Sequence, residues 1–354
     1  MGNSKTKKEK KKRREFELKK HHTIEKQLRT EQCQEDVEMK MLLLGTGDSG
    51  KSTFLKQMQF LYSGGFSFQE CQTYRKAIRM GCVEYTKILL KSLETFDLAL
   101  STENKIVKQD FLNIVKEKPH TFTQEIAQLI KTLWEDAAMK KCFLQRHKIQ
   151  LPASAGYFLD RISEIADEYY KPNKNDILFC RIPTTGVKEL KIEINGYTWN
   201  LVDVGGQRSE RRKWVHYFDD VDILIFVIAL DGYAEKLFEN HLVNRMSESI
   251  SVFENIVNNN YFRKKDLVIL YNKTDIFKQN LTKIPIKSTF PEYKGKNTYE
   301  EGSEFFKEKF MKCIIKKNQN ISSYNTCGIE TDIMKNVFEE IKKSLREKYI
   351  KMVC

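Results

Sequence analysis

Among the eight cysteines of this 354-residue chain no two form a C-x-x-C pair, and its six histidines show no metal-ligand spacing. A disulfide framework and a zinc site are therefore not expected, and the thiols read as reduced and intracellular. No long apolar run is present. The longest, residues 221–230, is interrupted by Asp222 and is far shorter than a bilayer span of roughly 20 residues. The basic start of the chain is followed by no apolar segment, so no secretory signal is expected. No internal repeat appears. A folded basic stripe interleaved with aromatics, the footprint of a nucleic-acid-binding face, is also missing, and no nucleic-acid partner is expected.

What is present is concentrated. Eight of the Lys and Arg residues fall between Lys5 and Arg14 against the single acid Glu9, so this short arm carries +7 of the formal +13. It follows Met-Gly-Asn-Ser-Lys-Thr, which fits the M-G-x-x-x-[ST] pattern for myristoylation of Gly2. One acyl chain binds membranes only marginally, and a polybasic patch supplies the second signal. Gly2 together with Lys5–Arg14 thus reads as a two-part peripheral membrane anchor.

The stretch GTGDSGKS, residues 45–52, follows the apolar run Met41–Leu44 and fits G-x-x-x-x-G-K-[ST]. Glycines at Gly45 and Gly50 let backbone N–H groups converge on phosphate oxygens, and a helix opening behind them adds its positive end. Lys51 is placed to reach the β- and γ-phosphates, and the Ser52 hydroxyl to ligate Mg²⁺. Strands and helices then alternate around this loop. Residues 37–44 read as a strand and the phosphate loop leads into a helix to about Tyr62. Residues 66–172 show helical periodicity with almost no strand signal, bounded by linkers at 63–65 and 172–175. After them, Leu190–Ile194 alternates, Asn195-Gly196 is a two-residue hairpin turn, and Thr198–Val202 returns. Buried strands at 223–230, at 267–271 and just before Thr326, separated by helix-sized segments, predict parallel βαβ units covered on both faces. The chain is accordingly divided into a basic arm and helix (1–36), a first α/β part (37–65), an inserted helical domain (66–172) and a second α/β part (173–354).

Ligands in such sheets sit beyond the carboxyl ends of the strands, where further motifs fall. In Asp203-Val-Gly-Gly-Gln207, Asp203 can hold Mg²⁺ through water, Gly206 can offer its N–H to a γ-phosphate, and Gln207 can orient an attacking water. In Asn272-Lys-Thr-Asp275, the Asp275 carboxylate can accept from the N1–H and N2 amino group of guanine, donors that adenine lacks in that arrangement. Lys273 can lay its stem over the base, and the N–H of Gly328 can meet the guanine O6. Thr184 can complete Mg²⁺ coordination beside Ser52, and Arg181 is an internal cation that can neutralise charge developing between β- and γ-phosphates. GTP and GDP with Mg²⁺ are the expected ligands.

GTGDSGKST, RIPTTG, DVGGQRSERRKW, NKTD and TCG occur in this order, and with them the chain resembles the α subunits of heterotrimeric G proteins over essentially its whole length. The resemblance implies an α/β fold: a P-loop Ras-like GTPase domain, its six-stranded sheet mostly parallel with helices on both faces, and an inserted all-helical domain. It implies a molecular switch that binds and hydrolyses GTP, with Gln207 positioning the water and Arg181, supplied in cis as is known for this family, stabilising the transition state. Ser49, Thr53, Ser154 and Leu178 join Asp48 and the residues above as nucleotide contacts. Segments 180–186 and 203–217 become switches ordered by γ-phosphate. Implied partners are a βγ dimer, a seven-helix receptor, effectors and GTPase-activating regulators, at the cytoplasmic face of the plasma membrane with a cytoplasmic pool.

Several positions depart from the family. Asp48 stands where Glu is usual, Cys180 where Thr or Ser is, Gly328 where Ala is, and Asn3 where many members carry a palmitoylated cysteine. Lys351 is not the cysteine that some members offer to an ADP-ribosylating toxin. Ala153 cannot reach across toward Lys273 as an aspartate could, and Asp48, one methylene short, is expected to reach Arg181 less easily. A scaffold that has lost catalysis is disfavoured by Gln207, Arg181 and Thr184. A small monomeric GTPase is disfavoured by the roughly 130 residues between Ser52 and Thr184.

Overall fold

The computed structural model describes residues 38–353 apart from 150, 195, 238, 241 and 316–319, with side chains described to residue 345. The basic arm, Gly2, the helix expected within 1–36 and the hairpin residue Asn195 lie outside the described residues, as do Cys354 and the side chain of Lys351.

A six-stranded sheet forms the centre, in the order β2-β3-β1-β4-β5-β6. Its strands are β1 (Glu38–Leu44), β2 (Val187–Ile194), β3 (Tyr197–Val204), β4 (Ile223–Ala229), β5 (Asp266–Asn272) and β6 (Ile321–Asn325). Only β2 runs antiparallel, hairpinned to β3 through Gly196 at φ 76° with Ile194 opposite Tyr197. The period-2 alternation of a strand divides β1 and β4 between two cores. Met39, Met41, Leu43, Ile223, Ile225 and Val227 face one side, against α1 (Lys51–Tyr62) and α13 (Thr331–Val353). Leu42, Leu44, Leu224, Phe226 and Ile228 face the other. There they meet α10 (Arg245–Val257), α11 (Thr274–Leu281) and α12 (Tyr299–Lys312). Burial on both faces is why these strands read as unbroken apolar runs.

The insertion is helical, as its periodicity requires: α2 (Phe68–Thr95), α3 (Thr102–Glu117), α4 (Gln124–Glu135), α5 (Ala137–Leu144), α6 (Ser154–Asp160) and α7 (Ile162–Ala166). Ser67 and Glu70 form a capping box that starts α2, and Thr123 caps α4. Ile126, Ile130 and Leu133 of α4 are buried in a separate core with Ile78, Cys82 and Phe111. The expected linker 172–175 is shorter than its composition suggests. Asn173 and Asp176 make a second capping box, which opens α8 (Lys174–Phe179). Ile177 and Cys180 are buried in the helical core and Ile182 packs against it. A last short helix, α9 (Arg208–Arg211), lies beyond β3.

Candidate functional site

The loop between β1 and α1 turns on glycines for steric reasons. Gly50 holds φ 107°, and a Cβ there would sit 2.0 Å from Nδ2 of Asn272. No side chain caps α1, so its first N–H groups remain available to an anion. Lys51, buried at the start of α1, donates from Nζ to the carbonyls of Gly45 (2.9 Å) and Thr46 (3.0 Å). Burial pushes its ammonium down to about 8, with Asp203 opposing the shift. Gly206 approaches the same lysine so closely that a Cβ would meet Nζ at 2.4 Å.

Three oxygen-bearing side chains from three segments meet beside this loop. Ser52 Oγ lies 2.7 Å from Thr184 Oγ1 and donates to Asp203 Oδ2 at 2.6 Å, while Thr184 Oγ1 donates to the same oxygen at 3.3 Å. Asp203 is buried, which raises its carboxyl, and its Oδ1 has no hydrogen-bond partner. Two hydroxyls and one carboxylate are hard donors of the kind that suits Mg²⁺, a cation that keeps part of its water shell. Among the described residues no group of three or more His, Cys, Asp or Glu could form an all-protein cage. The donor set and the orphaned carboxylate oxygen fit Mg²⁺ held jointly with phosphates.

At the end of β5, Asn272 ties two loops together: its Nδ2 donates to the Ser49 carbonyl (2.9 Å) and its Oδ1 accepts from Thr326 Oγ1 (3.2 Å). Lys273 then adopts φ 62°, a left-handed conformation uncommon outside glycine. Asp275 lies in the first turn of α11, beside the buried thiol of Cys327. Gln57 Nε2 donates to the carbonyl of Gly328 at 3.0 Å, fixing the T-C-G loop to α1.

Above these loops lies a charge network that only partly follows from the motifs. Asp48, also left-handed at φ 60°, accepts at Oδ2 from Lys273 (3.1 Å) and Arg245 (3.2 Å). Its Oδ1 is 3.8 Å from Arg181 Nε, an ion pair too long for a hydrogen bond. Burial raises this carboxyl, but Arg181, Lys273 and Arg245 together outweigh it and hold Asp48 well below the usual range. Arg245 also pairs with Glu235, and Lys273 Nζ donates to Asp231 Oδ2 at 3.1 Å.

Gln207 stands against the phosphate loop, with its Cγ 3.4 Å from where a Cβ on Gly47 would be. The segment after it is anchored by Glu248 of α10, which accepts from Arg208 Nε (2.9 Å) and Arg211 Nη1 (2.6 Å). Arg211 Nε in turn donates to the Gly206 carbonyl at 3.0 Å, and Trp214 Nε1 to that of Gly205 at 2.8 Å. Glu210 accepts from the Gly186 N–H at 3.1 Å, so the segments 180–186 and 203–217 are linked directly.

All of this surrounds a cleft of about 600 Å³ between the helical insertion and the carboxyl edge of the sheet. Asp48, Ser49, Gly50, Lys51, Ser52, Thr53, Ser154, Leu178, Arg181, Thr184, Gly206, Gln207, Asn272, Lys273, Asp275 and Gly328 line it. Gly45 and Asp203 stand behind that wall, engaged through Lys51 and Ser52. Asp231, Glu235 and Arg245 escaped sequence reading. A signal existed for Asp231, a lone acid at the end of a buried strand. Lys56 escaped too: its Nζ donates at 2.8 Å to the carbonyls of both Ile177 and Cys180, stapling α1 to the segment that carries Arg181.

Comparison with known proteins shows the family. Residues 18–345 match the family model described as G-protein alpha subunit. The chain is 37% identical over 330 residues to guanine nucleotide-binding protein alpha-17 subunit of Caenorhabditis elegans, covering 92% of this chain and 93% of that one. It is 34% identical over 331 residues to guanine nucleotide-binding protein alpha-1 subunit of Neurospora crassa, covering 93% and 94%. A guanine nucleotide-binding protein alpha subunit of Cochliobolus heterostrophus is 36% identical over 310 residues, covering 87% and 88%. A phosphate loop, a hydroxyl–carboxylate cluster and an N-K-x-D turn on one sheet edge, beneath a helical insertion, thus occur in a chain that belongs to the G-protein alpha subunit family of GTP-hydrolysing switches.

Proposed function

We propose that this cleft binds GTP with Mg²⁺ and that Arg181 and Gln207 carry the hydrolysis to GDP. The observation that carries the reading is the convergence of three chemistries on one cleft: phosphate at Gly50–Ser52, hard-cation oxygens at Ser52 and Thr184, and guanine acceptors at Asn272–Asp275 with Gly328. Lys51 and the α1 amides offset phosphate charge, and Gly206 leaves room for its N–H to meet the γ-phosphate. Ser52 and Thr184 would hold Mg²⁺, with Asp203 reaching it through water, and the ion would supply positive charge to offset that of the phosphate oxygens. Gln207 orients the attacking water by hydrogen bonding, and the Arg181 guanidinium stabilises charge growing between the β- and γ-phosphates. Ser49, Thr53, Ser154 and Leu178 complete the contacts to the nucleotide.

Purified protein denatured in acid should release close to one guanine nucleotide per chain and no adenine nucleotide, and Lys51→Ala should release neither. Retention of adenine nucleotide in comparable amount would overturn the guanine reading.

As a member of its family the protein acts with a βγ dimer, a receptor and effectors. No helix among the described residues is long and apolar enough to cross a membrane. We propose that acylated Gly2 and the Lys5–Arg14 run hold it on the cytoplasmic face of the plasma membrane, with a cytoplasmic pool. Salt screens the basic run but not the acyl chain. Gly2→Ala should therefore release much of the protein from anionic vesicles, and high salt should release more. Sedimentation with such vesicles that ignores both changes would refute the two-part anchor.

A further inference from the structure

Among the described residues, Lys273 is held from within the sheet domain. Asp231 follows β4, whose end lies beside that of β5 with Ala229 opposite Asn272. It is 1% exposed, lines the cleft, accepts from Lys273 at Oδ2, and leaves Oδ1 without a hydrogen-bond partner. Asp48 holds the same ammonium from the phosphate loop at the same 3.1 Å. Lys273 and Asp48 are both left-handed residues at φ 62° and 60°, and such strain persists where the surroundings over-determine it. The helical wall of the cleft contributes Phe143, Arg146, Pro152, Ala153, Ser154 and Tyr157. None of these is an acid, so among the described residues no helical carboxylate competes for Lys273.

We propose that Asp231 is a positioning residue of the guanine site, clamping the Lys273 ammonium with Asp48 so that the lysine stem is laid along the base. The inference rests on the guanine-binding reading above. A lysine with one partner still samples several rotamers of a four-carbon stem, whereas carboxylates on two sides leave little of that freedom to be lost when the base arrives. A buried carboxylate oxygen left without a partner is costly, and the clamp gives a reason for keeping it.

The clamp also makes retention depend on pH. The charged groups facing Asp231 are Lys273 after β5, Arg245 of α10, Glu235 in the turn after β4, and Asp48 of the phosphate loop. Burial is the largest influence on its carboxyl and pushes it up to about 6, against the pull of Lys273. Asp231 is therefore ionised at pH 7.5 and takes up a proton as pH falls through about 6, releasing one side of the clamp.

The test is dissociation of a fluorescent GDP analogue from the full chain into excess GTP at fixed Mg²⁺, at pH 7.5 and 5.5. Dissociation from the unmodified protein should quicken several-fold at the lower pH. Asp231→Asn should dissociate roughly tenfold faster at pH 7.5, since one of two partners of a buried ion is lost, and should change little with pH. Asp231→Glu should restore most of the retention and the pH slope. In a Lys273→Met background, Asp231→Asn should add nothing. A normal rate for Asp231→Asn at pH 7.5, or an undiminished effect of it without Lys273, would refute the positioning role. Failure of the unmodified protein to hold guanine nucleotide would instead refute the reading on which the role rests. Thermal unfolding of each nucleotide-free variant separates loss of the clamp from loss of the fold.

Discussion

Arg181→Cys should slow single-turnover hydrolysis of bound GTP by about 10³-fold or more, the scale attached to the in-cis arginine of this family, while GTP still binds. Arg181 lies just past the segment stapled by Lys56, lines the cleft, and is about one-third exposed, with its Nε 3.8 Å from Asp48. Removing it leaves Asp48 paired with Lys273 and Arg245, so the phosphate loop keeps its local charge balance and binding persists. Catalysis loses the cation that matters only as charge develops, so the loss falls on the chemical step and not on affinity. Arg181→Lys should recover part of the rate, because a charge is restored without the planar fork of the guanidinium. Gln207→Leu should share the phenotype by a different route, since the water then lacks its orienting group. Rapid mixing of preloaded protein with Mg²⁺ reads the step directly. A variant that hydrolyses at the unmodified rate would remove that residue from the mechanism.

Asp275→Asn should lower GDP affinity by about 10²–10⁴-fold, from the loss of two charge-assisted hydrogen bonds. A carboxylate accepts from both the N1–H and the N2 amino group of guanine, whereas an amide must turn its own N–H toward one of them. Inosine diphosphate lacks the amino group and provides the internal control. The unmodified protein should prefer GDP over it by at least about tenfold, one hydrogen bond to a charged group, and the variant should lose that preference. If the preference survives in Asp275→Asn, another residue reads the amino group.

Several features of this molecule are legible residue by residue. Gly45–Ser52 could be read because the requirement is local: a strand end, a glycine at φ 107° and a helix start lie within eight residues. The β2–β3 hairpin was equally local, with Gly196 at φ 76°. The α8 start was local too but escaped, because Asn173 reads as linker composition until its reciprocal hydrogen bonds with Asp176 are seen. The signature motifs named the ligand class for a related reason. Phosphate, hard cation and guanine each demand particular functional groups at short spacing.

Folding decided which charges share the cleft. Asp48 meets residues 197 and 225 positions away, Arg245 and Lys273, and Lys273 meets Asp231 across 42. Nothing in the neighbourhood of Asp231 marks it as a partner of the N-K-x-D lysine, because that contact exists only once β4 and β5 lie side by side in register. The same holds for Lys56, whose stapled carbonyls lie 121 and 124 residues downstream. Short-range sequence thus carried the motifs on which the proposed reaction rests, since backbone conformation and functional-group chemistry act over a few residues. Only the packed sheet and its helical insertion decided how those reagents are held, because burial and the pairing of charges depend on segments that the chain order keeps far apart.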